Sequence, residues 1–152
     1  MDVWIYLPSV GRSGGILFGG DSNKVEIISY SSHKFYLDIH LLNKVDKTPW
    51  QFTIVYGPTL RHLKKELWQE LDMLRPDPSI AWIISGDFNV IRTPLEKSGP
   101  RFDIKISSMF NRFINKHQLV EHKLQTRKFT WSNGTNFALL DRIFITLAWD
   151  QQ

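Results

Sequence analysis

Asp87 and Asn89 stand close together in "SGDFNVIRT", residues 85–93, directly after the apolar run Ala81, Trp82, Ile83 and Ile84. An apolar run bounded by glycine reads as a strand buried on both faces, and Gly86 permits a sharp exit from it. Such a strand presents a carboxylate and a carboxamide at the rim of a sheet, where sites assemble. The same residue types favour turns for backbone reasons alone, so the string by itself also reads as a turn. Two further stretches repeat the pattern: "VYGP" at 55–58 closes an apolar strand, and "LLDRIFIT" at 139–146 sets Asp141 on another. Asp141 shares its face with Ile143 and Ile145, and a carboxylate so placed must find a partner. The chain has no cysteine, so any metal would be held by carboxylate, carbonyl, water or His, a set that suits hard cations such as Mg²⁺.

The elements that must position these residues are mostly strands. "KFYLDIHLL" at 34–42 alternates Phe35, Leu37, Ile39 and Leu41 with polar or aromatic positions, the period of a half-buried strand. Residues 50–56 repeat it, with Trp50, Phe52, Ile54 and Tyr56 on one face. Further strands are predicted over 15–18, 24–31, 80–85 and 138–146. A helix over 60–74 places Leu60, Leu63, Leu67, Leu71 and Leu74 on one stripe and stops at Pro76. A second, over 107–117, buries Met109, Phe110, Phe113 and Ile114, with Ser107 or Ser108 as N-cap. Strand clusters interrupted by single helices imply an α+β sandwich with helices packed outside the sheets.

Composition sets the bounds. The 152 residues are 42% hydrophobic with six Trp and ten Phe, which is ample material for one packed domain over 1–152 and argues against disorder. No run is long and apolar enough for a membrane span, and no secretory pattern opens the chain. The balance of 19 Lys and Arg against 15 Asp and Glu suits a polyanionic partner without requiring one.

These stretches resemble the endonuclease/exonuclease/phosphatase superfamily with its DNase-I-like fold, and within it the endonuclease domain of plant non-LTR (LINE-type) retrotransposons. The matching strings are "GRSGGIL" at 11–17, "VYGP", "WIISGDFNVI" at 82–91, "FNRFINKHQLVE" at 110–121, "KFTWSNG" at 128–134 and "LLDRIFIT". The resemblance implies a DNase-I-like β-sandwich that cleaves DNA with Mg²⁺ or Mn²⁺ and acts in the nucleus. It implies that Asp87 orients or deprotonates the attacking water, that Asn89 contacts the scissile phosphate and that Tyr56 donates to a phosphate oxygen. Asp141 would pair with a catalytic histidine. Thr130 and Trp131, with Asn133 and the basic Arg127 and Lys128, would face the nucleic acid.

The family pattern also contains elements that are not found here: a strand carrying an Asn, a strand ending in a metal-binding Glu, and a C-terminal Ser-Asp-His. Glu26, Glu66, Glu70, Glu96 and Glu121 all follow the "GRSGG" stretch that the metal ligand should precede. The expectation is a domain incomplete at its N- and C-terminal edges, with activity lost and only weak metal binding through Asp87. A non-catalytic nucleic-acid-binding module is one alternative, and a phosphatase acting on a small phosphorylated substrate is another. Tyr56 also reads as a core tyrosine beside Trp50, Phe52 and Ile54. His117 and His122 read as surface residues.

Overall fold

A computed structural model describes residues 1–11, 14–125 and 127–150. A six-stranded sheet dominates it, in the spatial order β3 (Val25–His33), β4 (Tyr36–Asn43), β5 (Pro49–Tyr56), β6 (Ala81–Asp87), β10 (Asp141–Ile145) and β7 (Val120–His122). Every neighbouring pair is antiparallel except β5 and β6. A parallel pair needs a crossover, and α1 (Arg61–Met73) supplies it. The helix α2 (Ile104–Lys116) packs beside α1. The short strands β1 (Val3–Leu7) and β2 (Ile16–Gly20) form a separate ribbon, β8 (Trp131–Ser132) and β9 (Phe137–Ala138) form a hairpin, and α3 (Leu147–Asp150) follows β10. No helix among the described residues is long and apolar enough to cross a membrane.

The two faces of the large sheet carry different cores. Toward the helices, Trp82, Ile84, Phe88 and Phe144 meet Leu67, Trp68, Leu71, Phe110 and Phe113. Trp68 stacks on Phe110 with ring centroids 4.8 Å apart, and Phe144 meets the Phe110 ring edge-on at 5.7 Å. Toward the ribbon, Ile5, Ile16 and Phe18 cover Leu37, Ile39 and Leu41. Helices on one side and a β-ribbon on the other make the layered α+β arrangement that the strand and helix periods imply.

Strand alternation on β5 holds, with its more buried side reversed. Gln51, Thr53 and Val55 are almost fully enclosed, whereas Trp50, Phe52, Ile54 and Tyr56 are partly exposed. Polar residues tolerate this burial because most of their hydrogen-bonding groups find partners, the Gln51 side-chain oxygen excepted. The Asp38 carboxylate accepts from Gln51 Nε2 at 2.9 and 3.0 Å and from the Thr53 hydroxyl at 2.6 Å, and Trp82 Nε1 donates to Thr53 Oγ1 at 2.8 Å.

Three expectations are corrected. Leu60 lies at the N-cap of α1 and is exposed, and Trp68 takes a place in the buried stripe. The helix α2 begins at Ile104 because Asp103 caps it, its carboxylate accepting from the Ile106 amide at 3.1 Å; Ser107, one turn in, donates to the Ile91 carbonyl at 2.7 Å. His117 is buried and not on the surface, with Nε2 2.6 Å from Asp72 Oδ1 and its ring against Phe113 and Trp82. His122 is exposed, at the end of β7. The cap assignment has a direct check by urea titration: Asp103→Ala is expected to lower the unfolding free energy by about 1 kcal/mol and Ser108→Ala by much less. Equal losses would return the cap to the serines.

Candidate active site

Strand register builds the site. Tyr56, the last residue of β5, pairs with Asp87, the last residue of β6, and Asp87 pairs across the antiparallel ladder with Asp141, the first residue of β10. Residues directly opposite one another send their side chains to the same face, with Cβ atoms about 4.5–5.5 Å apart in an antiparallel pair. A tyrosine and two aspartates therefore form one row at the rim of the sheet, on the face opposite the helices.

Glycines allow the strands to close this tightly. Gly86 has φ +137°, and a Cβ there would collide with the Val55 carbonyl oxygen on the neighbouring strand. Gly57 donates its amide to the Asp87 carbonyl at 2.6 Å, and a Cβ on it would meet the Phe88 carbonyl. The backbone then bends sharply at Asn89, which adopts φ +51°. Asparagine tolerates this conformation better than most residues. Asp87 Oδ1 accepts the Asn89 amide at 2.8 Å, and the Asn89 carboxamide donates to the Gly57 carbonyl at 2.7 Å. Asn89 thus joins the row with its side chain tying the β5 and β6 termini together.

A residue that motif reading missed completes this corner. Lys64, one turn into α1, donates from Nζ to the Asn89 carbonyl at 2.5 Å. Burial pulls the Lys64 ammonium below its usual basicity, while Asp103 and Asp87 oppose that. Burial also raises the Asp87 carboxyl above its ordinary range; the Asn89 amide works against the shift, Asp141 adds to it, and Lys64 relieves it. In sequence Lys64 is one of an adjacent lysine pair on a helix, and nothing there marks it as different from Lys65.

Thr130 is the predicted nucleic-acid residue that the structure places at the row. Its Oγ1 accepts from the amides of both Leu140 and Asp141 at 3.0 Å, fixing the start of β10. Trp131 lies on β8 and is exposed. Asn133 shapes the β8–β9 turn, its side-chain oxygen accepting from the Thr135 and Asn136 amides at 3.1 and 2.8 Å. Arg127 and Lys128 are exposed on the approach to this hairpin, with Lys128 Nζ 5.3 Å from the Phe129 ring centroid. Arg12 and Ser13 of the "GRSGG" stretch lie outside the described residues; Gly14, which follows them, sits against the Tyr56 ring.

On the opposite face, next to Asp141, Arg142 is only 2% exposed. Its guanidinium pairs with Glu96 and, at 2.6 Å, with Glu121, which lies on β7. Arg92 bonds the other Glu121 oxygen at 2.5 Å and Asn111 of α2 at 2.9 Å, while Glu96 accepts the Arg92 amide at 2.6 Å. These two glutamates are committed to arginines and do not reach the row.

Among the described residues no three His, Asp or Glu side chains gather as a metal-ligand group. Mg²⁺ commonly takes one or two carboxylates and completes its shell with water and substrate phosphate. Asp87 and Asp141 match that donor set, with one Asp87 oxygen already engaged by Asn89. The row suits a cation shared with a phosphate and does not cage one alone.

Comparison with solved structures places this architecture. The endonuclease domain of TRAS1, a telomere-specific non-LTR retrotransposon, superposes with a TM-score of 0.69 at 12% identity, over 94% of this chain and 67% of that one. The human Nocturnin catalytic domain gives 0.59 at 14%, over 87% and 51%. An endonuclease/exonuclease/phosphatase family protein from Bacteroides thetaiotaomicron gives 0.57 at 15%, over 94% and 61%. The chain has the α+β, DNase-I-like fold of these endonuclease/exonuclease/phosphatase structures. It spans about half to two thirds of their length. No protein-family model and no curated protein matches the sequence.

The electrostatics of Asp87 yield a signed prediction. Its carboxyl is raised above the ordinary 3.8, so the folded state holds the proton more tightly than the unfolded chain. The charged form costs stability once the pH exceeds the folded value, and the cost vanishes as the pH falls below 3.8. Asp87→Asn keeps the acceptor for the Asn89 amide and removes the charge. It is expected to stabilise the protein at pH 7 by about 0.5–2 kcal/mol, with the gain disappearing toward pH 3. A variant less stable than the parent at neutral pH would contradict this.

Proposed function

We propose that the chain is the phosphodiester-holding part of a DNA endonuclease domain of the non-LTR retrotransposon kind. The Tyr56–Asp87–Asp141 row supports this reading most strongly. Two carboxylates facing one another repel, and an arrangement that keeps them there is suited to a cation or a proton arriving with substrate. Tyr56 would donate its hydroxyl to a non-bridging phosphate oxygen. Asp87 would orient a water at the phosphate, and Asn89 and Lys64 would hold its strand end in place. Asp87 and Asp141 would hold Mg²⁺ or Mn²⁺, which supplies charge neutralisation at the phosphate when bound. Thr130 would act through Asp141 by fixing its backbone. Trp131, Asn133, Arg127 and Lys128 would lie along the DNA on the exposed hairpin, in the nucleus.

The same reading makes this chain a binder of DNA and not a cutter. Among the described residues no hydrogen bond or ion pair reaches the Asp141 carboxylate, so no histidine is oriented there, and no third carboxylate joins the row. Groups that act as a unit lose most of their effect together.

Two outcomes are expected. Fluorescence anisotropy with a short duplex should show affinity that falls steeply with added salt and changes little with sequence, because the contacts are chiefly to phosphate. Binding that is independent of salt, or absent at low salt, would remove DNA as the partner. In a plasmid-nicking time course with Mg²⁺ or Mn²⁺, the chain is expected to match its Asp87→Ala variant. Metal-dependent nicking that disappears in Asp87→Ala would instead make it a working nuclease, and hydrolysis of a small sugar phosphate without DNA binding would make it a phosphatase.

A further inference from the structure

The outer edge of β1 stands open. Among the described residues β1 pairs with β2 alone, so alternate amides and carbonyls along Val3–Leu7 point away from the ribbon. Natural sheets guard such edges with a lysine, a proline, a bulge or extreme shortness. Both edges of the large sheet follow that rule: β3 breaks register between Ile27 and Ser29, and β7 has only three residues. The β1 edge does not. Its sequence Val-Trp-Ile-Tyr-Leu holds no charge and no proline, and its register with β2 runs unbroken from Val3–Gly20 to Leu7–Ile16.

The side chains leave that edge accessible. Trp4 and Tyr6 are both more than half exposed on the outer face, yet their rings lean over the neighbouring strand. A Cβ on Gly19 would lie 2.5 Å from the Trp4 ring, and one on Gly15 would lie 3.2 Å from the Tyr6 ring. Glycines on and just before β2 therefore make room for the aromatics, which lie away from the open side of β1. On the inner face Ile5 joins the core with Ile16 and Phe18, and Leu7 packs against it.

The order of residues along the edge is symmetric. Read from either end about Ile5, the strand alternates apolar, aromatic, apolar, aromatic, apolar. Two such strands laid antiparallel, with Ile5 opposite Ile5, bring Trp4 opposite Tyr6 of the second copy on the outer face, twice. Val3 meets Leu7 on the inner face, also twice, beside the Ile5 core. A two-fold contact demands this reciprocity, because what residue i meets in one direction it must meet again in the other. Aromatic and apolar cross-strand pairs stabilise a sheet, and no like charges face each other here.

We propose that two copies of this chain associate by antiparallel pairing of β1 with β1, joining their ribbons into one four-stranded sheet. The contact is closed, because each copy has a single β1 edge to offer. Strands of five residues place it at the small end of specific interfaces, so its dissociation constant belongs in the micromolar range, roughly 1–100 µM.

Sedimentation velocity on the full chain, from about 1 µM to about 500 µM, is expected to show a monomer that converts to a dimer. Trp4→Lys with Tyr6→Lys puts lysine opposite lysine at both aromatic pairs and is expected to weaken the dimer at least about tenfold. Trp4→Lys with Tyr6→Glu puts lysine opposite glutamate in the same two places and is expected to restore it. Leu17→Lys, exposed on the same face but on β2, is expected to leave association unchanged. Circular dichroism checks that each variant is folded. A parent chain that stays monomeric throughout would overturn the proposal, as would a doubly lysine-substituted variant as dimeric as the parent. Two double variants equally monomeric would exclude the Trp4–Tyr6 register. Loss of the dimer in Leu17→Lys would replace edge pairing with face stacking, and growth past the dimer would replace the closed contact with an open one; either result overturns β1–β1 pairing.

Discussion

Two carboxylates facing each other across an antiparallel ladder repel, and the rest of this molecule is arranged so that they stay there. Asp87 and Asp141 are register partners, so neither can move away without breaking the backbone pairing of β6 and β10. The strands beneath them carry Trp82, Ile84 and Phe144 into the main core, and shifting the pairing by one residue would turn all of these outward. Hydrophobic packing thereby fixes an electrostatic conflict at the rim. Tyr56, on the other side of Asp87, is positioned by the same register.

Arg142 makes the arrangement more demanding. It follows Asp141 directly, and strand alternation sends it to the opposite face, into the space between β7, α2 and the loop after β6. A buried guanidinium is tolerable only when its charge is matched, and Glu96 and Glu121 match it. Because Glu96 belongs to the loop that leaves Asp87 and Glu121 to β7, the arginine joins both neighbours of β10. One dipeptide therefore has two tasks on two faces: Asp141 faces the site, and Arg142 anchors the segments that surround it. Thr130 works from the other direction, holding the Leu140 and Asp141 amides.

Much of this was legible in the sequence wherever the signal was periodic or local. The strands over 34–42 and 50–56 and the leucine stripe of α1 followed from side-chain spacing, and Tyr56, Asp87, Asn89 and Asp141 followed from short strings at strand ends. What was missed depends on partners distant in sequence. Lys64 differs from Lys65 only because α1 crosses over Asn89. His117 reads as a surface histidine at the end of a helix until Asp72, on the other helix, gives its ring nitrogen a partner inside the core. Gln51 and Thr53 read as the polar side of a half-buried strand, and only Asp38, the register partner of Thr53 on the neighbouring strand β4, explains why they face inward. The strand β1 carries a short apolar alternation that gains meaning only by pairing with β2.

The place of β10 beside β6, with β7, β8 and β9 coming between the two in the chain, has a consequence for how the protein comes into being. On the ribosome, β3 to β6 with the crossover helix can assemble before Asp141 is made, because synthesis runs far slower than the pairing of adjacent strands. At that stage Asp87 stands beside Tyr56 with no opposing charge, and the open edge of β6 waits for a partner. β7 cannot fill that place in the final order, since it reaches the sheet only through β10. When β10 emerges it therefore covers the β6 edge, engages Arg142 and introduces the second carboxylate in one step. An interrupted chain would keep a bare β6 edge, the feature through which sheets most readily pair with other chains, and quality control would encounter it as a sticky nascent protein.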